Sequence, residues 1–374
     1  MKKILLIFGT RPEAIKLAPL AHVLRQTPDV DCRICLTAQH REMLDQVMTF
    51  FDLKADWDLD LMVPGQSLAG LTARILEKLG PVLDEFSPDQ IVVQGDTTTS
   101  MAGALVAFYH QVSVCHVEAG LRTGNKRSPF PEEVNRRLTS VMADLHCAPT
   151  ESNRQALLKE GIPSTAISVT GNTVVDALLL ARDRVSSAVP EKLRDLNEKM
   201  GDKRLLLVTG HRRESFGDGF EQICLALQKV ATAFPDLRIV YPVHLNPRVQ
   251  EPVNRLLSDI PNVQLIEPLA YPEFVWMMNR SYVILTDSGG VQEEAPSLGK
   301  PVLVMRDTTE REEGVRAGTA KLVGAHADTI VKEVTRLLTD EAAWMEMSTA
   351  SNPYGDGKAC ERIVKAILEF PHAG

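Results

Sequence analysis

The chain has 374 residues, more than one hydrophobic core usually supports, so two domains are expected. With 44% hydrophobic and 24% charged residues, its composition is that of a water-soluble globular protein. The formal net charge of −8 argues against nucleic acid as a main partner. An anionic small ligand remains compatible with this charge, because such a ligand responds to the local charge of its pocket.

The first residues, MKKILLIF, join two lysines to an apolar run, as the start of a signal peptide does. That run is only five residues long, whereas a secretory apolar segment needs about 7–15 residues. No stretch of the sequence approaches the roughly 18 consecutive apolar residues of a membrane-spanning helix. We therefore expect a cytoplasmic protein that does not associate with a membrane.

Short apolar runs alternate with helical patterns from the first residues onward. In the first part of the chain, strands are predicted at 4–8, 32–37, 90–94 and 113–117. Helical patterns begin near residues 14, 41 and 98, after the first three of these strands. This alternation is typical of a parallel sheet covered by helices, and it predicts a doubly wound domain over residues 1–170.

A second series of the same kind follows a helical, charged stretch over 174–199. Its strands are predicted at 205–209, 238–242, 263–267, 282–286 and 301–305. They predict a second doubly wound domain over residues 171–357. A last helix begins after the loop SNPYGDG; the stretch 358–374 suits packing on either domain, a return to the first included.

The six cysteines are scattered along the chain. Cys32 and Cys35 form a C-x-x-C pair, but no second pair stands at the spacing of a zinc site. We expect reduced, buried strand cysteines and no disulfide framework.

Polar and charged residues follow the predicted strands at nearly every strand end. Ligands of open parallel sheets bind beyond the carboxyl ends of the strands, so these residues are candidates for one shared site. In the first series they include Arg11, Lys16, Gln39, His40, Asp96, Glu118 and Glu132, the last followed by Glu133 and Arg136 in the same segment. In the second series they are His211, Arg212, His244, Ser288, Gly289, Gly290, Glu294 and Arg311.

Several of these residues also have a purely structural interpretation, which the sequence leaves open. Asp96 precedes three threonines and suits a helix cap, and Glu132 suits a helix first turn. His244 stands before Leu-Asn-Pro, as a turn residue does, and Arg212 belongs to a pair of arginines typical of a solvated surface. Their recurrence at successive strand ends favours one shared site.

The segment DSGGVQEE contains the most specific local signal. Ser288, Gly289 and Gly290 end a strand and open a helix, where free N–H groups and the positive end of the helix dipole suit a phosphate. Glu293 or Glu294 on that helix suits hydrogen bonds from ribose hydroxyls. The sequence lacks G-x-x-x-x-G-K-[ST] and G-x-G-x-x-G, which argues against a P-loop and against NAD or FAD.

The D-x-D pair Asp58 and Asp60 is a candidate for metal-assisted diphosphate binding. It lies in DWDLDLM, where alternating polar and apolar residues favour an exposed segment. Arginine and lysine neutralise a diphosphate without a metal. We therefore expect no metal site.

Together these motifs resemble the bacterial UDP-N-acetylglucosamine 2-epimerases of the non-hydrolysing type. The matching stretches are FGTRPEAIK, TAQHREMLDQV, GDTTT, HVEAGLRTG, PFPEEVNR, TGNTVVDAL, TGHRRESFG, YPVHLNP, LTDSGGVQEEAPSLGKPVLVMRDTTER and NPYGDG. They cover nearly the whole chain in this order. The resemblance implies the two-domain fold of GT-B glycosyltransferases, with the active site in the cleft, and interconversion of UDP-GlcNAc and UDP-ManNAc without metal or nicotinamide cofactor.

The resemblance also implies roles for individual residues. The matches to residues implicated in catalysis or lining the active site are Asp96, Glu118, Glu132, His211, Arg11 and Lys16. The matches to contacts of uridine, diphosphate and ribose are Phe274, Ser288, Gly289, Gly290, Glu294 and Arg311. In some members a second, allosteric UDP-GlcNAc is held by motifs that here contain Gln39, His40, Arg212 and His244. Family precedent further implies a homodimer, and surface polysaccharide synthesis as the use of UDP-ManNAc.

Two departures from the family pattern bear on these expectations. Glu312 replaces the usual proline after Arg311, so we expect a looser loop there. Glu42 stands where some members with the allosteric site carry Gln, which weakens the expectation of activation by substrate.

Three other functions stay open on the sequence alone. A GT-B glycosyltransferase shares the nucleotide half of the site but usually needs one base rather than a cluster of carboxylates. A hydrolysing epimerase would release free ManNAc and UDP. An inactive sensor would bind UDP-GlcNAc without turnover, and the three carboxylates argue against it.

Overall fold

The structure, a computed structural model, describes residues 1–38, 41–63 and 65–370. The chain divides into two compact units. The first unit contains Met1–Ala177 and the chain from Gly355 onward, and the second contains Leu178–Tyr354. The domain boundaries suggested by the sequence, at 170/171 and 357/358, stay a prediction for the limits of independently folding parts.

In the described part of the first unit, seven parallel strands form one sheet. The strands are β1 (Lys2–Phe8), β2 (Val30–Leu36), β3 (Trp57–Asp58), β4 (Gln90–Gln94), β5 (Ser113–Val117), β6 (Leu145–Ala148) and β7 (Ile167–Val169). They pair in the order β3-β2-β1-β4-β5-β6-β7, with Ile4 of β1 opposite Cys32 and Gln90. The strand order reverses between β1 and β4, where doubly wound sheets bind their ligands.

Helices connect these strands and cover the sheet. They are α1 (Arg11–Gln26), α2 (Arg41–Phe50), α3 (Leu68–Phe86), α4 (Thr98–Tyr109), α5 (Glu132–Met142), α6 (Glu151–Lys159) and α7 (Thr173–Val185), the last of which continues into the second unit. On α3, Leu71, Ile75 and Leu79 recur at helical spacing and are buried in one cluster with Ile91 and Val93 of β4. Such an apolar stripe holds a helix on a sheet.

The second unit repeats this architecture, and all of its residues are described. Its parallel strands, in the order β10-β9-β8-β11-β12-β13, are β8 (Leu205–Thr209), β9 (Arg238–Pro242), β10 (Val263–Ile266), β11 (Val283–Thr286), β12 (Val302–Val304) and β13 (Ala320–Leu322). Its helices are α8 (Arg194–Met200), α9 (Asp218–Ala233), α10 (Pro247–Leu257), α11 (Tyr271–Arg280), α12 (Gly289–Glu294), α13 (Glu312–Arg316), α14 (Ala327–Thr339) and α15 (Glu341–Ser348).

The last helix, α16 (Ala359–Glu369), belongs to the first unit and packs on α1. Its first turn is capped from a distant part of the chain, because the carboxylate of Asp176 accepts hydrogen bonds from the N–H groups of Ala359 (3.2 Å) and Cys360 (2.8 Å). Lys2 Nζ donates to the carbonyl of Ile367 at 2.6 Å near the other end.

The prediction of an α/β fold with two doubly wound parallel sheets is confirmed. Each of the nine predicted strands coincides with a strand, with ends shifted by at most two residues. The sequence did not reveal β3, β6, β7 and β13, which have two to four residues each. The predicted helical stretch 174–199 is interrupted around Pro190, between α7 and α8. Among the described helices, none has the length and apolar character needed to span a membrane.

Candidate active site

The connection between β1 and α1 explains why charges of both signs occur there. Thr10 caps α1 and accepts a hydrogen bond from the N–H of Glu13, whose carboxylate accepts bonds from the N–H groups of Gly9 (3.1 Å) and Thr10 (2.8 Å). This capping box buries Glu13. Thr97 Oγ1 donates to the same carboxylate at 2.6 Å, which ties α1 to the loop after β4. Burial raises the pKa of Glu13, and these hydrogen bonds oppose that effect.

Lys16 and Glu118 form an ion pair, with Lys16 Nζ 2.5 Å from Glu118 Oε2. Gln94, the last residue of β4, donates to the same oxygen, and Asn172 donates to Oε1 at 3.4 Å. Glu118 directly follows β5 and has a φ of 62°, which residues other than glycine seldom adopt outside turns and functional sites. Groups from several elements thus fix the orientation of this carboxylate.

Arg11 is the first residue of α1 and is exposed, so its guanidinium is accessible to an anion. Gln39 and His40 of the predicted allosteric set lie outside the described residues, and so does the side chain of Glu42.

Asp96 follows β4 and is held by α5. Arg136 NH2 donates to Asp96 Oδ2, and Asn135 Nδ2 donates to the backbone carbonyl of Asp96 at 3.0 Å. The cap of α4 is Thr97, whose Oγ1 accepts a hydrogen bond from the N–H of Ser100 at 3.0 Å. The interpretation of Asp96 as a helix cap is therefore wrong. Its side chain, 29% exposed, remains accessible to a ligand.

A cavity of about 480 Å³ lies beside Asp96 and Glu132, which both line it. Apolar side chains such as Leu68 and Leu71 line another part of its wall. Its size falls in the range of small-molecule sites, about 300–1,000 Å³. Glu132 is the first residue of α5, and its Oε2 is buried without a hydrogen-bond partner among the residues that the structure describes.

Glu133, the next residue along α5, is fully buried and serves a different purpose. It accepts hydrogen bonds from the N–H groups of Thr123 (3.0 Å) and Gly124 (3.2 Å), and Arg136 NH1 lies 3.1 Å from its Oε2. Burial disfavours its ionised form, but these bonds and the Arg136 charge outweigh burial and lower the pKa of Glu133. Of the two acidic residues, Glu132 lines the cavity and Glu133 anchors the preceding loop.

In the second unit, His211 follows β8 and is anchored by the buried carboxylate of Asp287, which follows β11. Asp287 Oδ2 accepts hydrogen bonds from the N–H groups of His211 and Arg212, both at 2.7 Å, and Oδ1 lies 3.2 Å from His211 Nδ1. Burial opposes the ionisation of Asp287, but His211 and the backbone bonds outweigh burial and lower its pKa.

His244 follows β9, and its ring stacks on that of His211 with centroids 5.7 Å apart. Its Nδ1 also accepts a hydrogen bond from the N–H of Asn246 at 3.1 Å, as expected of a turn histidine. The structure therefore brings the predicted residues His211, Arg212 and His244 together at the ends of two neighbouring strands.

The turn at 288–290 opens α12, and Arg311 lies against it. A Cβ on Gly289 would come within 2.8 Å of Arg311 Cζ, so any other residue would require this guanidinium to shift. Arg311 Nε donates to Glu293 Oε1 at 2.9 Å. At Gly290 a Cβ would have Glu294 Oε2 and Ser288 Oγ as near neighbours, at 3.8 and 3.9 Å. The predicted diphosphate and ribose contacts of this segment are thus close together.

The structure also shows the positions of two further residues of the second unit, Phe274 and Glu312. Phe274 lies in the first turn of α11 and is partly exposed. Glu312 is the first residue of α13 and pairs with Arg316 one turn later. The first helical turn favours acidic residues as well as proline, so Glu312 suits its position, and the expected loosening around Arg311 stays a prediction.

The D-x-D pair is an exposed segment that pairs with arginine. Arg41 NH1 lies 2.6 Å from Asp58 Oδ2 and 3.6 Å from Asp60 Oδ1. In the described ranges no group of three or more His, Cys, Asp or Glu residues is placed to hold a metal ion. All six cysteines are buried and free.

Sequence reasoning did not predict the contacts that hold the predicted residues in place, although it included Arg136 among the strand-end residues. Arg136 and Gln94 fix the two carboxylates Asp96 and Glu118, and Asp287 fixes His211. One signal was present in the sequence: Arg136 stands four residues after Glu132, which places both on the same face of a helix.

Comparison with known proteins identifies the family. The family model described as "UDP-N-acetylglucosamine 2-epimerase" matches residues 22–368. The chain belongs to the UDP-N-acetylglucosamine 2-epimerase family. A protein of that name from Escherichia coli K12 is 59% identical to it over 370 residues, which cover 98% of each chain. Since epimerases are isomerases, this membership assigns the enzyme class.

Solved structures of the family share the fold. The UDP-GlcNAc 2-epimerase from Neisseria meningitidis, bound to UDP-GlcNAc, is 48% identical, with a TM-score of 0.87 over 98% of this chain and 100% of that one. The Methanocaldococcus jannaschii enzyme in complex with UDP-GlcNAc and UDP is 34% identical, with a TM-score of 0.79 and the same coverage. The predicted GT-B-like fold with two Rossmann-like domains is confirmed.

Proposed function

We propose that the chain catalyses the reversible epimerisation of UDP-GlcNAc to UDP-ManNAc at C2, without net hydrolysis. The observation that carries this proposal is the set of carboxylates in the first unit: Asp96 and Glu118 are each held against a cation, and Glu132 shares a cavity with Asp96. Relatives named for this activity support it. The ligands bound in two family structures support UDP-GlcNAc and UDP as ligands here.

The chemistry explains the residue types. C2–H of UDP-GlcNAc has no neighbouring carbonyl, because C1 carries the glycosyl phosphate, so direct enolisation is not available. In the proposed mechanism the C1–O bond breaks and UDP leaves with the bonding electron pair, while a base removes the C2 proton to give 2-acetamidoglucal. A proton then returns to C2 from the opposite face, and the diphosphate oxygen adds back to C1, so atoms and charge balance.

The departing diphosphate needs positive charge and backbone donors, which together supply several kcal/mol in a site that excludes water. For this role we propose Arg11, Lys16, His211, Arg311 and the glycine turn formed by Ser288, Gly289 and Gly290. Phe274 is proposed to contact uridine, and Glu294 the ribose hydroxyls. Ser288 Oγ and Glu294 Oε2 both lie within 4 Å of the position that a Cβ on Gly290 would take, and this proximity supports these assignments.

Proton removal and return on opposite faces of the sugar need two positioned acid/base groups, each worth about 10²–10⁴-fold in rate. We propose Asp96, Glu118 and Glu132 for this chemistry. Glu118 is paired with Lys16 and fixed by Gln94, while Glu132 has a buried oxygen without a partner among the described residues. Such different surroundings suit carboxylates that act in different steps.

A second UDP-GlcNAc site for activation is proposed from Gln39, His40, Arg212 and His244. In the second unit, the stacking of His244 on His211 and the shared anchor of His211 and Arg212 support a common location for Arg212 and His244.

We further propose a homodimer, formed through an exposed apolar face of the first unit. On α5, Val134, Leu138 and Val141 are 37%, 46% and 80% exposed and recur at helical spacing. At the end of the neighbouring α4, Phe108 and Tyr109 are 63% and 67% exposed. Exposed apolar patches of this kind mark association surfaces. Sedimentation should show a dimer, and Val141→Glu should shift it to monomer; a monomeric parent chain would refute this proposal.

We also propose that the enzyme acts in the cytoplasm, where UDP-ManNAc would supply surface polysaccharide synthesis. The family's usual role and the net charge of −8 support a small-molecule enzyme without nucleic-acid or membrane partners.

The test is proton NMR of UDP-GlcNAc incubated with the purified protein in D₂O, without added metal or nicotinamide cofactor. Deuterium should appear at C2 while UDP-ManNAc grows to a fixed ratio with UDP-GlcNAc. Free ManNAc and UDP would mean hydrolysis instead. An unchanged C2 proton, even with excess UDP-GlcNAc to fill an activating site, would refute the epimerase function.

A further inference from the structure

Arg136 is a buried arginine to which the mechanism above gives no role. Its side chain is 6% exposed, and it lies on α5 one turn after Glu132. Its NH2 donates to Asp96 Oδ2, and its NH1 donates to Glu133 Oε2 at 3.1 Å. A buried guanidinium requires such partners, because taking a charge out of water is costly. Its planar fork also fixes the direction of each hydrogen bond.

The Glu133 side of this arrangement is rigidly anchored. Glu133 is fully buried, and its carboxylate is tied to the backbone N–H groups of Thr123 and Gly124. These bonds and the Arg136 charge outweigh burial and keep the pKa of Glu133 low, so the group stays an anion. Glu133 therefore holds Arg136 through NH1, and NH2 of the same guanidinium donates to Asp96.

The neighbouring residues of α5 act on the same loop. Asn135 Nδ2 donates to the backbone carbonyl of Asp96 at 3.0 Å, so α5 holds both the main chain and the side chain of this residue. Glu132, four residues before Arg136, lines the cavity that Asp96 also lines. One helix thus sets the distance and direction between two of the proposed acid/base groups.

We propose that Arg136 is a positioning residue for the epimerisation, which holds Asp96 by Oδ2 and leaves Oδ1 for the proton transfer at C2. No hydrogen bond to Oδ1 is formed within the described parts of the chain. This inference rests on the proposed function. Proton transfer needs the reacting atoms within about 3–3.5 Å of each other, and a misplacement of about 1 Å costs about 10²-fold in rate.

The chain offers a matched control in Arg122. This arginine is also largely buried in the first unit, with its side chain 10% exposed, and it also contacts α5, through Ser140 Oγ at 3.0 Å. Its ion-pair partner is Glu160, which it contacts through two hydrogen bonds of 2.9 and 2.8 Å, and its NH1 donates to the carbonyl of Leu121 at 2.8 Å. Arg122→Gln therefore removes a comparable ion pair from the same unit without removing a contact to Asp96.

The experiment compares the C2 exchange rate, kcat and KM of the full chain with those of Arg136→Gln, Arg136→Lys and Arg122→Gln. Arg136→Gln should lower kcat and the exchange rate about 10²-fold, with KM changed by less than about threefold, because substrate binding does not depend on the orientation of Asp96. Arg136→Lys should recover part of kcat, since lysine supplies the charge but not the fork. Arg122→Gln should keep kcat within about twofold.

A double variant separates positioning from general damage. If Arg136 acts through Asp96, Asp96→Asn/Arg136→Gln should exchange C2–H at the rate of Asp96→Asn alone, within about threefold. Thermal unfolding of each variant checks that it is folded. If Arg136→Gln does not fold, the same comparison is made with Arg136→Lys and with Asp96→Asn/Arg136→Lys.

Three results would overturn the inference: an unchanged kcat in Arg136→Gln, an equal loss in Arg122→Gln, or a further large loss in the double variant. Failure of the proposed function is a different outcome, since the parent chain itself would then leave the C2 proton of UDP-GlcNAc unexchanged.

Discussion

The two units place charged residues at their strand ends in different ways. In the first unit the charged groups contact one another: Lys16 pairs with Glu118, and Asp96 pairs with Arg136. Their side chains are at most 29% exposed, and each carboxylate is fixed by groups from other elements. The result is a compact polar network in which the carboxylates have few orientations.

In the second unit the strand ends carry glycines and more exposed rings. The side chain of His211 is 45% exposed, although Asp287 holds its backbone, and Arg311 lies over Gly289 with 18% exposure. The helix that begins at Gly289 adds the N–H groups of its first turn. Binding an anion tolerates some freedom in its cations, whereas proton transfer does not tolerate a misplaced carboxylate. The arrangement in the first unit therefore suits acid/base chemistry, and that in the second unit suits diphosphate binding.

The largest effect is expected from the carboxylates of the first unit. Asp96→Asn, Glu118→Gln and Glu132→Gln should each lower kcat about 10²–10⁴-fold, because each removes a proposed proton-transfer group. Calorimetric titration with UDP should give a Kd within about threefold of the parent value if this unit contributes chemistry more than diphosphate binding. A loss of UDP affinity as large as the loss of kcat would remove the distinction between the units.

In the second unit, Gly289→Ala should affect the binding of UDP. A methyl group there would come within 2.8 Å of Arg311 Cζ and displace the guanidinium. Loss of one charge-assisted hydrogen bond, about 1.5–3 kcal/mol, should weaken UDP binding about 10–100-fold. The control is Gly219→Ala on α9, where a Cβ meets only ordinary contacts at 3.4 Å. Equal UDP affinity in both variants would contradict the role of Arg311.

The buried histidines of the first unit should make its stability sensitive to acid. His116 and His146 are neighbours on β5 and β6, and burial lowers their pKa values to about 3 and about 4. Unfolded histidine binds a proton near pH 6.5, so the unfolded state binds more protons than the folded state below that pH, and stability falls as the pH falls. Each histidine should contribute a slope of about 1.4 kcal/mol per pH unit between pH 6 and its own folded pKa.

Urea unfolding between pH 7.5 and 4.5 measures this slope. His116→Gln keeps a donor for the Gly95 carbonyl, which His116 Nε2 contacts at 2.7 Å, and removes one titrating group. The dependence of the unfolding free energy on pH should be weaker in this variant by the contribution of one histidine. An identical slope would show that His116 titrates normally.

The smallest effect is expected at the D-x-D pair. Asp58 and Asp60 face Arg41 at the surface, with side chains 30% and 70% exposed. The double variant Asp58→Asn/Asp60→Asn should keep kcat within about twofold, because surface ion pairs contribute little. A metal role for this pair would be established by two results together. The double variant would lose activity, and added Mg²⁺ would change the activity of the parent chain but not that of the variant.

Nine strands and the glycine turn were predictable because their signals are local. A short apolar run, such as Ile91–Val93 within β4, marks a strand, and Ser-Gly-Gly before a helix marks a phosphate-type turn. β3 has only two residues, Trp57 and Asp58, and exists because β2 offers a free edge. No local pattern specifies such a strand.

The partners of the site residues were not predictable for the same reason. Arg136 is 40 residues from Asp96, and Asp287 is 76 residues from His211. Each pair is formed by the sheet order, which places the ends of neighbouring strands and the following helices together. Ligands of parallel sheets bind beyond the carboxyl ends of the strands, so the sequence indicates which residues belong to the site. Only the folded chain shows which of these residues contact each other.

The return of α16 to the first unit has a consequence for the order of synthesis. The first unit takes its last helix from residues 359–369, whereas its earlier residues end at Ala177. At about 5–20 residues per second, a ribosome needs about 10–40 s to translate the intervening chain. During that interval the surface of α1 that receives α16, and the Asp176 carboxylate that caps it, have no partner from this helix. The second unit therefore leaves the ribosome before the first unit can be completed.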